Sequence, residues 1–366
     1  MTEYDKKFQK ARQSISDIDK QIAKLFEQRM KAAEDVAEYK RVNGLPIEDL
    51  SRENLLIESN SLLIENNEIK SYYINFQKNI MKLSKDYQRK LNDGMRVAYS
   101  GVKGAFAEIA VKRIFPDATP VPFSDFKSAY RAVEKGECEI AVLPIENSFE
   151  GDVARVMDLT YFGSLFINGV YDMAVEQHLF GISSATEKSI TKVISHPQAL
   201  GQCSDFIEEK GYETEEAVNT AVAAKLVAEK EDCSIGVICS LESGQEYGLK
   251  LIDRKINKDS QNTTRFAVYS RIPKDFSSER SNFIVLFTVR DEAGSLGKAI
   301  SVFGECGYNL KALKSRPSKD VIWNYYFFLE GEGCLTAESE KELIDKLSGV
   351  CTNVRLIGKY SKEQLI

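Results

Sequence analysis

The stretch Val97-Ala-Tyr-Ser-Gly-Val-Lys-Gly-Ala-Phe-Ala-Glu-Ile-Ala110 reads as a strand, a glycine turn and the start of a helix. Backbone N–H groups around Gly101 to Phe106 would face an anion at the helix N-terminus. The same alternation continues from residue 96 to 271, where β-type runs at 97–100, 140–143, 192–195, 234–238 and 266–270 separate helical patterns. This predicts an α/β sheet domain. Three further motifs sit where such strands end or begin: Pro144-Ile-Glu-Asn-Ser-Phe-Glu-Gly151, Ser195-His-Pro-Gln-Ala-Leu-Gly-Gln-Cys203 and Asn262-Thr-Thr-Arg-Phe266. Ligands of open α/β sheets bind at strand ends.

Upstream, residues 6–90 hold one proline, Pro46, and one glycine, Gly44, in a dense mix of charge and aliphatics. That is helical texture. Ile15, Ile18, Ile22, Leu25, Ala32, Val36 and Tyr39 make one apolar stripe on a first helix that Asn43-Gly44-Leu45-Pro46 ends. Helices near 49–60 and 68–91 follow. Downstream, 273–281 reads as a polar linker. Strand 283–290, helix 295–306, strands 309–316 and 322–330, helix 338–347 and strand 354–359 then give the ferredoxin-like order βαββαβ.

Composition narrows the function classes. The 366 residues carry a net charge of −6 with 43% hydrophobic residues, which argues against both disorder and a generic nucleic-acid binder. Two His, and seven Cys without C-x-x-C spacing, predict no zinc site and reduced thiols. Cys203 reads as a packed thiol. The polar N-terminus is unlike a signal peptide. The longest apolar run, 283–289, falls far short of the ~18 residues a membrane helix needs. The expectation is a cytoplasmic protein with no membrane or nucleic-acid partner and no cofactor.

Helix geometry sorts the basic residues. Arg29 and Lys40 are 11 positions apart, about 20° from whole turns and ~16 Å along the axis, so a small anion fits between their side-chain heads. Arg12 is 17 positions from Arg29, ~25 Å away and roughly 100° round the helix. It could reach the same ligand only from a second subunit, and a helix of ~50 Å with an unpaired stripe suits an interlocked dimer.

The stretches Arg12-Gln-Ser-Ile-Ser-Asp-Ile-Asp19, Gln28-Arg29, Glu38-Tyr-Lys40, Pro46-Ile-Glu-Asp-Leu-Ser-Arg-Glu53 and Ser84-Lys-Asp-Tyr-Gln88 resemble the all-helical chorismate mutase domain. The resemblance places substrate-binding residues at Arg12 (from the partner), Arg29, Asp49, Arg52 and Ser84, and catalytic ones at Lys40, Glu53 and Gln88. A Claisen rearrangement needs no nucleophile and no proton transfer. Arg12, Arg29 and Arg52 suit two carboxylates, and Lys40 and Gln88 suit the ether oxygen.

The motifs at 97–110, 144–151, 195–203 and 262–266 resemble prephenate dehydratase. That implies two α/β lobes like a periplasmic binding protein, with crossings near 171–175 and 251–254. Thr264 would assist departure of the ring hydroxyl by proton donation or by orientation, and Arg265 would hold a carboxylate. Glu146, Asn147 and Gln202 would shape the cleft. Ser100, Ala105 and Phe106 would line the anion site, where the family often has hydroxyls in place of Ala105 and Ala107. His196 reads as structural or catalytic alike.

Gly294-Ser-Leu-Gly-Lys298 and Leu313-Lys-Ser-Arg-Pro317 resemble the ACT regulatory domain. Its phenylalanine site would fall on Gly294, Ser295, Leu296, Ser315, Arg316 and Pro317, with Lys314 in place of the family's acidic residue. A dimerisation module without ligand is the alternative. The expectation is a multidomain chain: all-α mutase 1–92, dehydratase 95–272 and ACT domain 282–360. Chorismate and prephenate would be substrates, phenylalanine the effector, and a homodimer or higher oligomer the assembly. Arogenate as the second substrate, or a non-catalytic amino-acid sensor, are the competing readings.

Overall fold

The computed structural model describes every residue except Met1, Gly44, 258–261, 275–280, 318–324 and Glu363. The chain divides into two compact units, Met1–Met95 and Arg96–Ile366.

The first unit is three helices. α1 (Glu3–Val42) runs 40 residues, about 60 Å, and starts with a Thr2/Asp5 capping box. It is capped at Asn43, although Gly44 in the expected stop lies outside the described residues. α2 (Leu50–Ser61) and α3 (Asn67–Asp93) begin at Asp49 and Asn66, whose side chains accept from Arg52 N and Glu68 N. α3 packs on both α1 and α2. Within this unit the α1 stripe stays largely uncovered, with Ile15 59% and Leu25 62% exposed.

The second unit opens with β1 (Arg96–Ser100), α4 (Phe106–Ile114), β2 (Thr119–Phe123), α5 (Phe126–Lys135), β3 (Ile140–Asn147), β4 (Gly151–Asp152), α6 (Ala154–Phe162) and β5 (Phe166–Ala174). A second lobe follows: β6 (His178–Gly181), β7 (Lys192–Ser195), α7 (Pro197–Gln202), α8 (Ser204–Lys210), β8 (Glu213–Glu216), α9 (Thr220–Lys230), β9 (Ile235–Cys239), α10 (Leu241–Glu246) and β10 (Lys250–Asp253). The chain returns to the first lobe as β11 (Thr263–Ser270), then makes β12 (Ser281–Thr288), α11 (Ser295–Glu305), β13 (Asn309–Pro317), β14 (Tyr325–Glu332), α12 (Ala337–Val350), β15 (Thr352–Ser361) and β16 (Gln364–Leu365). The expected linker and the start of the 322–330 strand lie partly outside the described residues.

The first-lobe sheet has the order β16-β5-β11-β3-β1-β2, with β11 antiparallel to both neighbours. The second is β10-β6-β9-β7-β8 and the third β13-β14-β12-β15. β3 runs on to Asn147, so Glu146 and Asn147 lie inside the strand rather than just after it. Likewise β5 extends to Ala174 and β10 to Asp253. The first crossing therefore falls at 175–177 and the second starts at 254, its residues 258–261 lying outside those described; both come a few residues later than expected, because both strands keep their ladder partners to the lobe edge. The crossings bond to each other through Val175 N–H to Asn262 O (2.7 Å) and Ile256 N–H to Gln177 O (2.9 Å).

All of β12 is buried. Phe283, Val285 and Phe287 face α11 and α12, while Ile284 and Leu286 join Tyr130, Leu143 and Ile167 in the first-lobe core. A strand covered on both faces needs a continuous apolar run instead of alternation, and 283–289 is that run. The third sheet approaches β5 so closely that a Cβ on Gly358 would stand 2.1 Å from the Ile167 carbonyl oxygen. Gly358→Ala is expected to cost about 2 kcal/mol or more by forcing β15 away, measured by denaturant unfolding.

Candidate active sites

In the helical unit, α1, α2 and α3 enclose a cavity of about 260 Å³ lined by Arg29, Lys40, Asp49, Arg52, Glu53, Ser84, Lys85 and Gln88 with Ala33, Val36 and Met81. Arg29 and Lys40 enter from one face of α1, as their spacing requires. Arg29 donates to Ser84 Oγ and to Ile80 O, and Lys40 Nζ to Ile47 O at 2.6 Å. Lys85 bonds Glu53 at 3.1 Å and Glu48 at 3.0 Å. Burial works against the Lys85 charge, but these two partners outweigh it and its pKa is raised. Desolvation lowers that of Arg29. Gln88 is buried and its Oε1 has no partner. A buried polar atom left unpaired is costly, so this cavity is built to receive a polar ligand.

The second cavity, about 440 Å³, lies between the lobes. Ser100, Ala105 and Phe106 border it at the start of α4. Gly101 makes this turn with φ 130°, a conformation open to glycine. No side chain caps α4, so its first N–H groups are left for a ligand. Asn219 and Thr220 bring the N-terminus of α9 from the other lobe. Among the described lining residues there is no Lys or Arg, and Glu150 is the single carboxylate.

Asn147, Asn262 and Thr264 form the centre. Asn147 Oδ1 accepts from the Phe149 and Glu150 N–H groups at 2.9 and 3.2 Å. Its Nδ2 donates to Asn262 Oδ1 at 3.0 Å and to Thr264 Oγ1 at 2.9 Å. With a lone pair of Thr264 engaged this way, its own proton remains for the cleft. Gln177, buried in the first crossing, approaches Gln202 Oε1 through Nε2 at 3.5 Å, and its Oε1 is unpaired. His196 caps α7 by accepting from Gln198 N–H.

Comparison with known proteins matches these two sites to two families. The prephenate dehydratase family profile matches residues 97–274 and that of type II chorismate mutase residues 11–89. A bifunctional chorismate mutase/prephenate dehydratase of Aquifex aeolicus (strain VF5) is 30% identical over 97% of this chain and 98% of its own length. The chain belongs to the bifunctional chorismate mutase/prephenate dehydratase family. The prephenate dehydratase structure from Staphylococcus aureus subsp. aureus Mu50 matches 73% of this chain and 100% of that one, with TM-score 0.65 and 27% identity. That of Arthrobacter aurescens in complex with L-Phe shares the fold, with TM-score 0.68 and 24% identity over 73% of this chain and 90% of that one.

The mutase cavity gathers all the residues expected of it except Arg12, which stands exposed on α1 with its guanidinium 4.7 Å from the Phe8 ring centre. Lys85 was missed. Its partners Glu48 and Glu53 come from the 46–53 stretch, and nothing in the local spacing announces the pairing.

The dehydratase cleft gathers Ser100, Ala105, Phe106, Asn147, Gln202 and Thr264. Arg265 and Glu146 do not line it, which departs from the expectation that Arg265 holds a substrate carboxylate and Glu146 shapes the cleft. Alternation along β11 sends Thr264 and Phe266 to the cleft and Arg265 to the opposite face. There Arg265 makes two 3.0 Å bonds to Glu330 of β14, with Glu146 at 3.3 Å and Asp172 at 3.5 Å. Tyr360 donates to Glu330 at 2.8 Å. Burial disfavours the guanidinium charge, yet Glu330 outweighs it and the Arg265 pKa is raised. The sequence held a signal for this: neighbours in a strand face opposite ways, so Thr264 and Arg265 cannot both touch one ligand. Asn262, Gln177 and Asn219 were also missed. Cys203 is packed, and burial pushes its thiol up to about 12.

Glu330 is 1% exposed. Removing one partner of a buried ion pair leaves the other charge uncompensated, so Glu330→Ala is expected to destabilise the second unit by roughly 3 kcal/mol or more. Chemical denaturation with a probe in that unit measures this.

Proposed function

We propose that the two sites act in sequence in phenylalanine biosynthesis, the helical cavity turning chorismate into prephenate and the cleft turning prephenate into phenylpyruvate. The observation that carries the reading is the Asn147 Nδ2 to Thr264 Oγ1 bond, which presents a hydroxyl proton to a cleft of matching size.

In the mutase site Arg29 and Arg52 hold the dicarboxylate in its folded conformer. Lys40 and Gln88 stabilise charge growing on the ether oxygen as the C–O bond breaks and the C–C bond forms. Arg12 of a second copy completes the site, and the exposed stripe of α1 is the surface that would bring that copy in. The site is then a property of a homodimer.

In the cleft, the ring–carboxylate C–C bond breaks with its electron pair entering the ring, and CO₂ leaves. The ring C–O bond breaks with its pair going to oxygen, and the hydroxide takes one proton to depart as water. Thr264 donates to that oxygen, and the open N-terminus of α4 receives a carboxylate. Among the described lining residues there is no Lys or Arg, so neutral donors and helix N-termini meet the charge that develops.

The C-terminal segment is read as an ACT-type regulatory domain for phenylalanine, with domains 1–92, 95–272 and 282–360. Gly294, Ser295 and Leu296 line a surface cavity of about 360 Å³. Ser315 and Pro317 are strand partners of its lining residues Phe327 and Tyr325, but none of Ser315, Arg316 and Pro317 lines it, so we expect a second copy to complete the site. Lys314 is engaged elsewhere, bonding Glu146 at 2.9 Å as well as Asp152, and Arg316 bonds Asp158 at 2.8 Å. Effector binding that moves β14 would move Glu330 and Arg265 and, through β11, Thr264. Feedback requires phenylalanine to bind one of two such states better. No described helix is long and apolar enough to cross a membrane, and we read the protein as cytoplasmic.

A coupled assay tests the reading: chorismate alone should yield phenylpyruvate, and phenylalanine should suppress the second step. Prephenate accumulating without phenylpyruvate would mean that the second site is inactive or prefers arogenate. Thr264→Val should cut dehydration by roughly 100-fold while chorismate loss continues. Lys40→Met should slow chorismate loss by a similar factor and leave dehydration of supplied prephenate unchanged.

A further inference from the structure

One buried donor in the dehydratase cleft has no role in the reading above. Asn262 is 2% exposed and lines the cleft, and its Nδ2 has no partner. Buried amide N–H groups are almost always paired, so an orphan on a residue that lines a cavity points to a ligand atom. The neighbours settle which end of the amide is free. Asn147 Oδ1 accepts from two backbone N–H groups, so its other end is nitrogen and can only donate. The Asn262 atom facing it at 3.0 Å is therefore oxygen, and the free end is Nδ2.

We propose that Asn262 is a further catalytic residue of the dehydratase, donating Nδ2–H to the departing ring hydroxyl oxygen beside Thr264. This rests on the reading of Thr264 given above. The same Asn147 nitrogen holds Asn262 Oδ1 and Thr264 Oγ1, so the spare N–H and the spare O–H hang from one anchor as neighbours. Both are neutral donors. Two fixed donors on one oxygen stabilise negative charge as the C–O bond breaks, and they need no reorganisation during the step. Asn262 keeps its proton throughout; the proton that turns hydroxide into water comes by way of Thr264 or solvent. A carboxylate is the weaker match for Asn262, since the uncapped start of α4 already provides N–H groups for one.

Asn262→Asp tests this in the full-length chain. It keeps the shape and the acceptor that Asn147 needs, but removes the N–H. At about pH 8 the dehydratase kcat should fall roughly 10- to 100-fold with a smaller change in KM, while chorismate mutase activity of the same preparation is unchanged. Lowering the pH towards about 5.5 restores an O–H donor to a growing fraction of the introduced carboxyl groups, so the deficit relative to the parent should narrow, after subtraction of the uncatalysed loss of prephenate at each pH. Thr264→Val is measured alongside. If Thr264→Val keeps the parent rate, the reading of Thr264 falls and takes this proposal with it. If Thr264→Val is impaired but Asn262→Asp stays within about threefold of the parent, or its deficit stays constant on acidification, Asn262 has a structural role only and the proposal is overturned while the Thr264 reading stands.

Discussion

Side-chain alternation along β11 is the constraint on which the second unit depends. One strand, central in its sheet and antiparallel to both neighbours, carries Thr264 and Phe266 on its cleft face and Arg265 on the other. The cleft face lines the cavity between the lobes. The opposite face is the socket into which the C-terminal sheet fits. Because consecutive residues share a backbone, the position of the Thr264 hydroxyl and the seat of the third sheet are set together.

The socket is electrostatic at its centre and apolar around it. Arg265 meets the almost wholly buried Glu330, with Glu146 and Asp172 nearby. Ile284, Leu286, Phe328 and Ile357 close over the first-lobe core. Such a buried pair adds little net stability compared with a hydrophobic substitute, because desolvation offsets the attraction. Its consequence is registry: only one placement of β14 satisfies both carboxylate oxygens. Lys314 and Arg316 repeat the pattern on β13, pairing with Glu146 and Asp158. The position where the family resemblance led us to expect an acidic residue thus holds a lysine with local carboxylate partners. That lysine is an internal tie between the C-terminal sheet and the strand that carries Asn147.

The two sites use different electrostatics for two dianionic substrates. The helical cavity presents Arg29, Lys40, Arg52 and Lys85, whereas the described lining of the cleft has amides, hydroxyls and helix N-termini. In both reactions charge grows on an oxygen whose bond to carbon is breaking, and donors already fixed in place stabilise it without reorganising. Asn147 serves that need by fixing the orientation of its neighbours: two backbone N–H groups lock its amide, and the amide then determines which atoms of Asn262 and Thr264 are free.

Much of this was legible in the sequence. Helical texture and the 43–46 stop located α1 to α3, and the 11-residue separation of Arg29 and Lys40 put both into one cavity, because helix periodicity is a local property. Strand–turn–helix alternation located the lobes, and βαββαβ order the third sheet. Parity along a strand also implies that Thr264 and Arg265 part company, against the expectation that both meet the substrate, although not which of them faces the ligand. That choice needed the tertiary structure, since it depends on what covers each face, and the cover for Arg265 comes from Glu330, 65 residues further on. Lys85 finding Glu48 and Glu53, the orphaned amides of Gln177 and Asn262, and an apolar run explained by burial on two faces have the same origin. Sequence determines local geometry and residue chemistry, whereas long-range contacts decide which polar atoms are already paired and which remain for a substrate.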